Sequence, residues 1–169
     1  MLWPIRAHPI HMTIAYDIAT AALAATMVGN EFAVAAFVHP QLTKLAPQTH
    51  AQASAQLASS LGKWMPFWYA AAFAFILGAA FEHRSKPHSL GLILASAVLW
   101  ATTIIFTVTT LVPINNRIAK MDTQHPYDCW QEDRKRWDRL HRTRVEVLFA
   151  ALLLLFTGLF LGITAASPV

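Results

Sequence analysis

The sequence predicts an all-α fold, an integral membrane four-helix bundle, from its composition, its apolar segments and the polar stretches between them. The 169-residue chain is 56% hydrophobic and 13% charged, whereas soluble domains average about 25% charged residues. Four segments are each apolar over roughly the 20 residues that a helix needs to cross a bilayer core. We therefore expect residues 1–169 to form a single domain with four transmembrane spans.

The four predicted spans cover residues 14–38, 64–81, 90–113 and 145–165. The first apolar run exceeds a signal-peptide core of about 7–15 residues, so it should be a retained span. The stretch 41–62 is rich in Ala, Gln and Ser and is expected to form a polar loop with room for a surface helix. The connection 83–89 is short, which predicts that spans two and three are antiparallel neighbours. Interfacial anchoring of span two is expected from Lys63, Trp64, Trp68 and Tyr69.

Small residues recur at helical spacing and predict close helix packing, because small side chains let membrane helices approach one another. The stripes are Ala22, Thr26, Gly29, Ala33 and Ala36; Ala70, Ala74 and Gly78; and Gly158 with Gly162. A stripe that is not used within the bundle could serve a homo-oligomer.

The charges are arranged as expected for a multi-pass protein of a bacterial inner membrane. The net charge is +4, and the basic residues flank apolar segments, which favours lipid headgroups over nucleic acid as the partner. All but three of the 13 Lys and Arg residues lie on the side of loops one and three, so the positive-inside rule predicts that these loops are cytoplasmic. The chain has one cysteine, Cys129, which excludes an internal disulfide and a thiolate-rich metal site.

Residues 130–144 are predicted to form an amphipathic helical extension of the fourth span. At about 100° per residue, one face carries Trp130, Arg134, Trp137, His141 and Arg144. Trp130 and Arg134 are interpreted as headgroup anchors. For the three residues nearest the span a functional role is favoured, because a charge at the bilayer centre costs about 2.5–3.5 kcal/mol. The opposite face holds acid–base pairs and should be solvated.

Further polar residues lie at the same predicted membrane level on the first and third spans. They are Asn30, Glu31 and His39 on the first, and Asn115 and Asn116 on the third, beside the helix-disrupting Pro113. Up-and-down topology brings these segments to one end of the bundle, where they should form a shared pocket. Arg144 is the expected partner of Glu31, in a pair that is either a structural lock or part of a reactive site. Asp17 is interpreted as an ordinary first-turn acid, and His83 as peripheral.

Three motifs resemble the DUF1772 (anthrone oxygenase-like) integral membrane family. They are "GNEFAVAAFVHPQL", "LVPINNRI" and the spacing W-x6-W-x3-H-x2-R that begins at Trp130, and the likeness extends over residues 14–162. The resemblance implies a pocket built from Asn30, Glu31, His39, Asn115, Asn116, Trp137, His141 and Arg144. It does not specify the substrate.

Three functional hypotheses follow. The first is a membrane-embedded oxygenase for a lipophilic phenolic or anthrone-like substrate and dioxygen, without a metal. In it His141 is the base, Glu31 a further catalytic residue, Arg144 and Asn116 stabilise the oxyanion, and Trp137 is an aromatic platform. Asn30, Asn115 and His39 complete the substrate pocket.

The second hypothesis is a membrane redox protein, with haem or a single transition metal held by His39 and His141. The third is a non-enzymatic small membrane partner protein, whose bundle is held together by Glu31 and Arg144. The sequence leaves open whether any cofactor is bound.

Overall fold

The protein is a bundle of four long helices. The computed structural model describes the backbone of residues 8–164 and the side chains of residues 12–162. Helix α1 covers residues 8–42, as His8–Ala33, a π-helical turn Val34–Val38 and His39–Leu42. Helix α2 is Pro47–Glu82. Helix α3 is Pro87–Ala119, with a π-helical turn at Thr107–Leu111. Helix α4 is Trp130–Thr164.

Each of the four helices is long and apolar enough to cross a membrane by length and composition. Within the described residues the regular structure is entirely helical. The predicted all-α, four-helix membrane bundle is therefore confirmed. The predicted extension 130–144 and the fourth span form one continuous helix, as expected. The predicted end of that span, residue 165, lies outside the described residues.

Helix α2 begins much earlier than predicted, because the stretch expected to be a loop is mostly helical. Pro47 stands in its first turn, where the missing N–H costs nothing. Ala51, Ser54, Ala55 and Ala58 are buried along its inner face. Asn115 of α3 donates a hydrogen bond from Nδ2 to the Ala58 carbonyl at 2.9 Å. A helical stretch within 41–62 was expected, but the prediction that it lies on the surface, apart from span two, is wrong, because its small residues are buried and pack against α3.

Two helices each contain a proline that widens the helical turn before it and does not end the helix. Pro40 and Pro113 each follow a π-helical turn at a distance of two residues. A proline lacks the N–H for the helical ladder, and its ring collides with the carbonyl four residues before it. Widening the preceding turn relieves the collision, and the five-residue hydrogen bonds of His39 to Val34 and Val112 to Thr107 are the result. Helix α3 therefore continues to Ala119, beyond the predicted end at 113.

The packing of the small residues is only partly as predicted. Gly158 and Gly162 allow close approach, because a Cβ at either position would overlap residues of α3 or the α2–α3 connection. Gly78 likewise makes room for Tyr16. The α1 stripe is instead mostly exposed, and a Cβ on Gly29 would meet no atom within 4 Å. The α1 stripe is therefore the one left unused for packing within the described residues.

A buried polar network joins all four helices at the end of the bundle away from the predicted pocket. The His83 side chain has Nε2 3.0 Å from Asp17 Oδ2 and Nδ1 2.7 Å from Ser89 Oγ. Ser89 in turn donates to the Gly158 carbonyl at 2.7 Å. Asp17 and His83 are 2% and 0% exposed, so the interpretation of Asp17 as an ordinary first-turn acid and of His83 as peripheral is wrong. Each polar group obtains a partner, which buried polar groups require.

Replacing Gly162 by alanine should destabilise the protein, because the new methyl group would overlap the His83 ring and lie 3.0 Å from Ser89 Oγ. Overpacking of this kind costs about 1–3 kcal/mol. Thermal unfolding in detergent should show a lower Tm than wild type. Gly91→Ala is the matched control, since a Cβ there meets nothing within 4 Å. Equal Tm values for the two variants would contradict this account of the packing.

Candidate functional site

A cavity of about 200 Å³ lies between the helices at the predicted end of the bundle. Its walls are largely apolar and come mainly from α2 and α3: Leu61, Met65, Pro66, Ala70, Ile104, Val108, Leu111 and Val112. Its polar lining comes from all four helices: Asn30, Glu31, Tyr69, Thr107, Asn115, Trp137, His141 and Arg144. The cavity is therefore apolar except for one polar part of its wall.

The polar part is organised around the carboxylate of Glu31. Tyr69 donates its hydroxyl to Glu31 Oε1 at 3.0 Å, and Arg144 donates to Oε2. His141 Nδ1 lies 3.3 Å from the same Oε2. Arg144 also donates to Thr107 Oγ1 at 3.3 Å, so that every helix contributes at least one member and α4 contributes two. Glu31 is 3% exposed and Arg144 7%, and the predicted pairing of these two residues is present.

The two π-helical turns lie against this cavity. Val34 of the first turn and Val108 of the second both line it. In an unbroken α-helix, the side chains of Glu31 and His39 would point in directions about 80° apart around the helix axis. The wider turn reduces that rotation, and both side chains consequently face α4. Single π turns occur frequently at functional sites.

The predicted face of α4 is buried along its whole length. Trp130, Arg134, Trp137, His141 and Arg144 are each no more than 7% exposed. Arg134 is bonded to Asp138 and lies 2.8 Å from His39 Nδ1, and Trp130 packs against His50. The expectation that Trp130 and Arg134 are headgroup anchors is therefore wrong. The opposite face, with Lys135, Arg136, Arg139 and Arg142, is exposed as predicted.

A second, smaller cavity of about 150 Å³ lies beside the first. It is lined by Ala35, His39, Pro40, Thr43, Asp138, His141 and Arg142. His39 Nδ1 is 3.1 Å from Asp138 Oδ1. The Trp137 ring packs on both histidines, with centroids 4.8 Å from His39 and 4.5 Å from His141. His141 lines both cavities.

The predicted pocket residues divide into three groups. Asn30, Glu31, Asn115, Trp137, His141 and Arg144 line the large cavity. His39 is buried and lines only the small one. Asn116 is exposed and lines neither, because one helical position turns it about 100° away from Asn115.

Sequence reasoning missed Tyr69 and Thr107. Tyr69 follows Trp68 near the predicted start of span two, a position typical of interfacial anchors. Because α2 begins at Pro47, Tyr69 lies deep in the bundle and is 6% exposed. The anchoring role expected of Tyr69 is therefore wrong, while Trp64 is 64% exposed, with Lys63 over its ring.

The histidine pair does not fit haem or a single transition metal. Among the described residues no group of three or more His, Cys, Asp or Glu could hold a metal ion. The Trp137 ring contacts both imidazoles. Arginine N–H groups lie 2.8 Å from Nδ1 of His39 and of His141. A guanidinium charge beside each imidazole disfavours a metal cation at these nitrogens.

Three hydrogen-bond donors in this region are buried and have no acceptor among the described residues. They are Trp137 Nε1, Arg144 Nε and His141 Nε2. Arginine can only donate, so its bond to His141 Nδ1 leaves the hydrogen of the neutral ring on Nε2. An unpaired buried donor costs about 1–3 kcal/mol. Trp137 and Arg144 line only the large cavity, whereas His141 lines both, so the large cavity favours a ligand that carries acceptor oxygens.

Replacing Arg144 alone should destabilise the bundle, because Glu31 would remain as an uncompensated buried charge. Arg144→Met is expected to lower the free energy of unfolding by about 3–5 kcal/mol. The double variant Glu31→Gln/Arg144→Met removes both charges and should recover most of that loss. Denaturant unfolding in detergent measures both values. A double variant that is no more stable than Arg144→Met would show that the pair is not energetically coupled.

Comparison with known proteins assigns a family. The family model described as Anthrone oxygenase matches residues 57–154, more than half of the chain. The matched range contains the cavity residues of α2, α3 and α4, including Tyr69, His141 and Arg144, and stops short of α1. No curated protein and no solved structure matches the chain. The family suggests an oxygenase-type function associated with a membrane. The chain belongs to the anthrone oxygenase family.

Proposed function

We propose that the protein is a membrane-embedded oxygenase that binds a lipophilic phenolic or anthrone-like substrate in the large cavity and oxidises it with dioxygen. One observation carries the proposal most directly. A carboxylate from α1 meets an imidazole and a guanidinium from α4 in a buried cluster at the polar part of an apolar cavity. Strongly polar groups beside an oily chamber suit a ligand that has apolar rings and an oxygen that becomes charged.

The substrate would enter sideways from the bilayer. Pro66 and Ala70 of α2 and Val108 of α3 line the cavity and are also exposed on the outer surface. The opening between these two helices therefore faces the acyl chains at membrane depth. A flat lipophilic ring system partitions into that region, so it would reach the cavity without crossing the polar ends of the bundle.

The reaction would begin with loss of a proton from a methylene group held between two aryl rings. Among the described residues that line the cavity, Glu31 and His141 carry the side chains that can act as proton acceptors. His141 Nδ1 already accepts a hydrogen bond from Arg144. We therefore propose that Glu31 is the group that first accepts the substrate's methylene proton. His141 Nδ1, 3.3 Å away, then receives the proton from the carboxylate, while the Arg144 N–H leaves that nitrogen and donates to Glu31 alone.

The resulting enolate would be stabilised by N–H groups of Arg144 and Trp137, whose Nε and Nε1 donors lack other partners. Asn116 is too exposed for that role. The electron-rich carbanion gives one electron to dioxygen, and the two radicals combine to form a C–O bond. The peroxide, once protonated, loses water and leaves a carbonyl. One oxygen atom enters the product, and the other leaves with both methylene hydrogens.

His141→Ala should abolish turnover and leave the protein folded, because the Glu31–Arg144 pair persists without the imidazole. Loss of a positioned acid–base group costs roughly 100-fold or more. Oxygen consumption and ¹⁸O incorporation into the product measure the effect, with anthrone as the probe substrate. His50→Ala is the matched control and should retain wild-type turnover, since His50 lines neither cavity. Equal turnover in both variants would remove His141 from the mechanism.

Ala70→Trp should block the lateral opening, since Ala70 lines the cavity and is exposed. A large drop in kcat/KM for anthrone is expected, with little change in Tm. Ala71→Trp is the matched control, because Ala71 is exposed on the same helix and does not line the cavity. Similar kcat/KM values for the two variants would place the entrance elsewhere.

The competing proposal is that this is a non-enzymatic membrane partner protein. In that case the buried ion pair would only hold the bundle together. The double variant Glu31→Gln/Arg144→Met separates the two functions, because it retains the fold and loses the charges. The oxygenase proposal predicts that the folded double variant is inactive. A biological role that survives in this variant would favour the partner protein.

A further inference from the structure

The imidazole of His141 lies between two cavities of opposite character. On one side is the large apolar cavity with Glu31. On the other is the small cavity, whose lining includes His39, Asp138 and Arg142. Thr43 and Arg142 on its lining are exposed, and Thr43 follows the end of α1. The small cavity is therefore placed between His141 and the water at this end of the bundle.

The groups that can carry a proton lie in a row across this boundary. Glu31 Oε2 is 3.3 Å from His141 Nδ1. The His141 and His39 ring centroids are 5.7 Å apart, and His39 Nδ1 is 3.1 Å from Asp138 Oδ1. The Asp138 side chain is 18% exposed, more than those of the other three. The series therefore runs from a buried carboxylate to one in contact with water.

Packing keeps the two imidazoles in place. Trp137 stacks on His141 with an angle of 27° between the ring planes and meets His39 edge-on. Arg134 lies against both ring nitrogens of His39 and also bonds Asp138. His141 Nε2 carries a hydrogen and has no acceptor among the described residues. A ring with one nitrogen near a carboxylate and the other unpaired can accept a proton on one side and release a proton on the other.

We propose that His39 and Asp138, through the small cavity, form the path by which the substrate's proton exchanges between the Glu31–His141 pair and bulk water. This inference rests on the proposed oxygenase function. The proton passes from protonated Glu31 to His141 Nδ1, and His141 releases its Nε2 proton to water in the small cavity. His39 and Asp138 accept that proton and pass it outward. The steps reverse when the peroxide takes a proton to lose water, which restores the original His141 tautomer.

A purely structural role is the competing explanation for the same residues. His39, Arg134 and Asp138 could simply join α1 to α4. The two explanations differ in one observable, the rate at which protons of bound substrate exchange with solvent. A structural role affects folding and binding together, whereas a proton path affects exchange while binding is retained.

The experiment follows exchange in the absence of dioxygen. The full-length protein in lipid vesicles is incubated with anthrone in D₂O, and mass spectrometry follows deuterium incorporation at the methylene carbon. Wild type should accelerate exchange. Asp138→Asn and His39→Gln should each slow it at least tenfold, with unchanged anthrone affinity by equilibrium dialysis. In His39→Ala, added imidazole should restore part of the rate.

Controls at the same end of the bundle are His50→Gln and Asp133→Asn. Neither residue lines a cavity, and both variants should exchange at the wild-type rate. Exchange at the wild-type rate in Asp138→Asn and His39→Gln would overturn the proton path and leave the oxygenase proposal intact. Joint loss of exchange and affinity that imidazole does not restore would also overturn it, in favour of a structural role. Absence of exchange in wild type would instead count against the oxygenase proposal itself.

Discussion

The buried ion pair of Glu31 and Arg144 is the constraint on which the rest of this structure depends. Two charges at membrane depth are costly unless they are paired and their remaining hydrogen-bonding groups are satisfied. Tyr69 and Thr107 supply two such partners from the other two helices, and among the described residues Arg144 Nε is left without one. The pair therefore fixes the relative positions of all four helices at one end of the bundle, as the Asp17–His83–Ser89 network does at the other.

The same cluster can bind an ionised group, because it places N–H donors beside an apolar cavity. Two prolines explain how the helix backbones are shaped around this cavity. Pro40 and Pro113 each widen the turn before them, and the two wide turns contribute Val34 and Val108 to the cavity wall. The wide turn in α1 also brings His39 to the face that meets α4. The prolines therefore account both for the local helix geometry and for the positions of these site residues.

Much of this architecture is predictable from the sequence, because hydropathy and helical periodicity report on lipid exposure directly. The four spans, the shared face of Trp137, His141 and Arg144 on α4 and the Glu31–Arg144 pair follow from segment length, spacing and the cost of a buried charge. The start of α2 does not, because Ala, Gln and Ser are too weakly apolar to indicate that the segment is buried. Because the start of α2 was predicted too late in the chain, Tyr69 was predicted to lie at the membrane interface. Asp17 and His83 were missed because their pairing depends on tertiary contact.

The central claim is that this cluster stabilises an anion inside an apolar cavity, and ligand ionisation tests it most directly. A lipophilic phenol such as 2-naphthol absorbs at different wavelengths in its neutral and ionised forms. Difference spectra of the purified protein with this probe at neutral pH report the form that is bound. The account predicts the phenolate in wild type and its loss in Glu31→Gln/Arg144→Met. A wild-type protein that binds only the neutral phenol would contradict the claim.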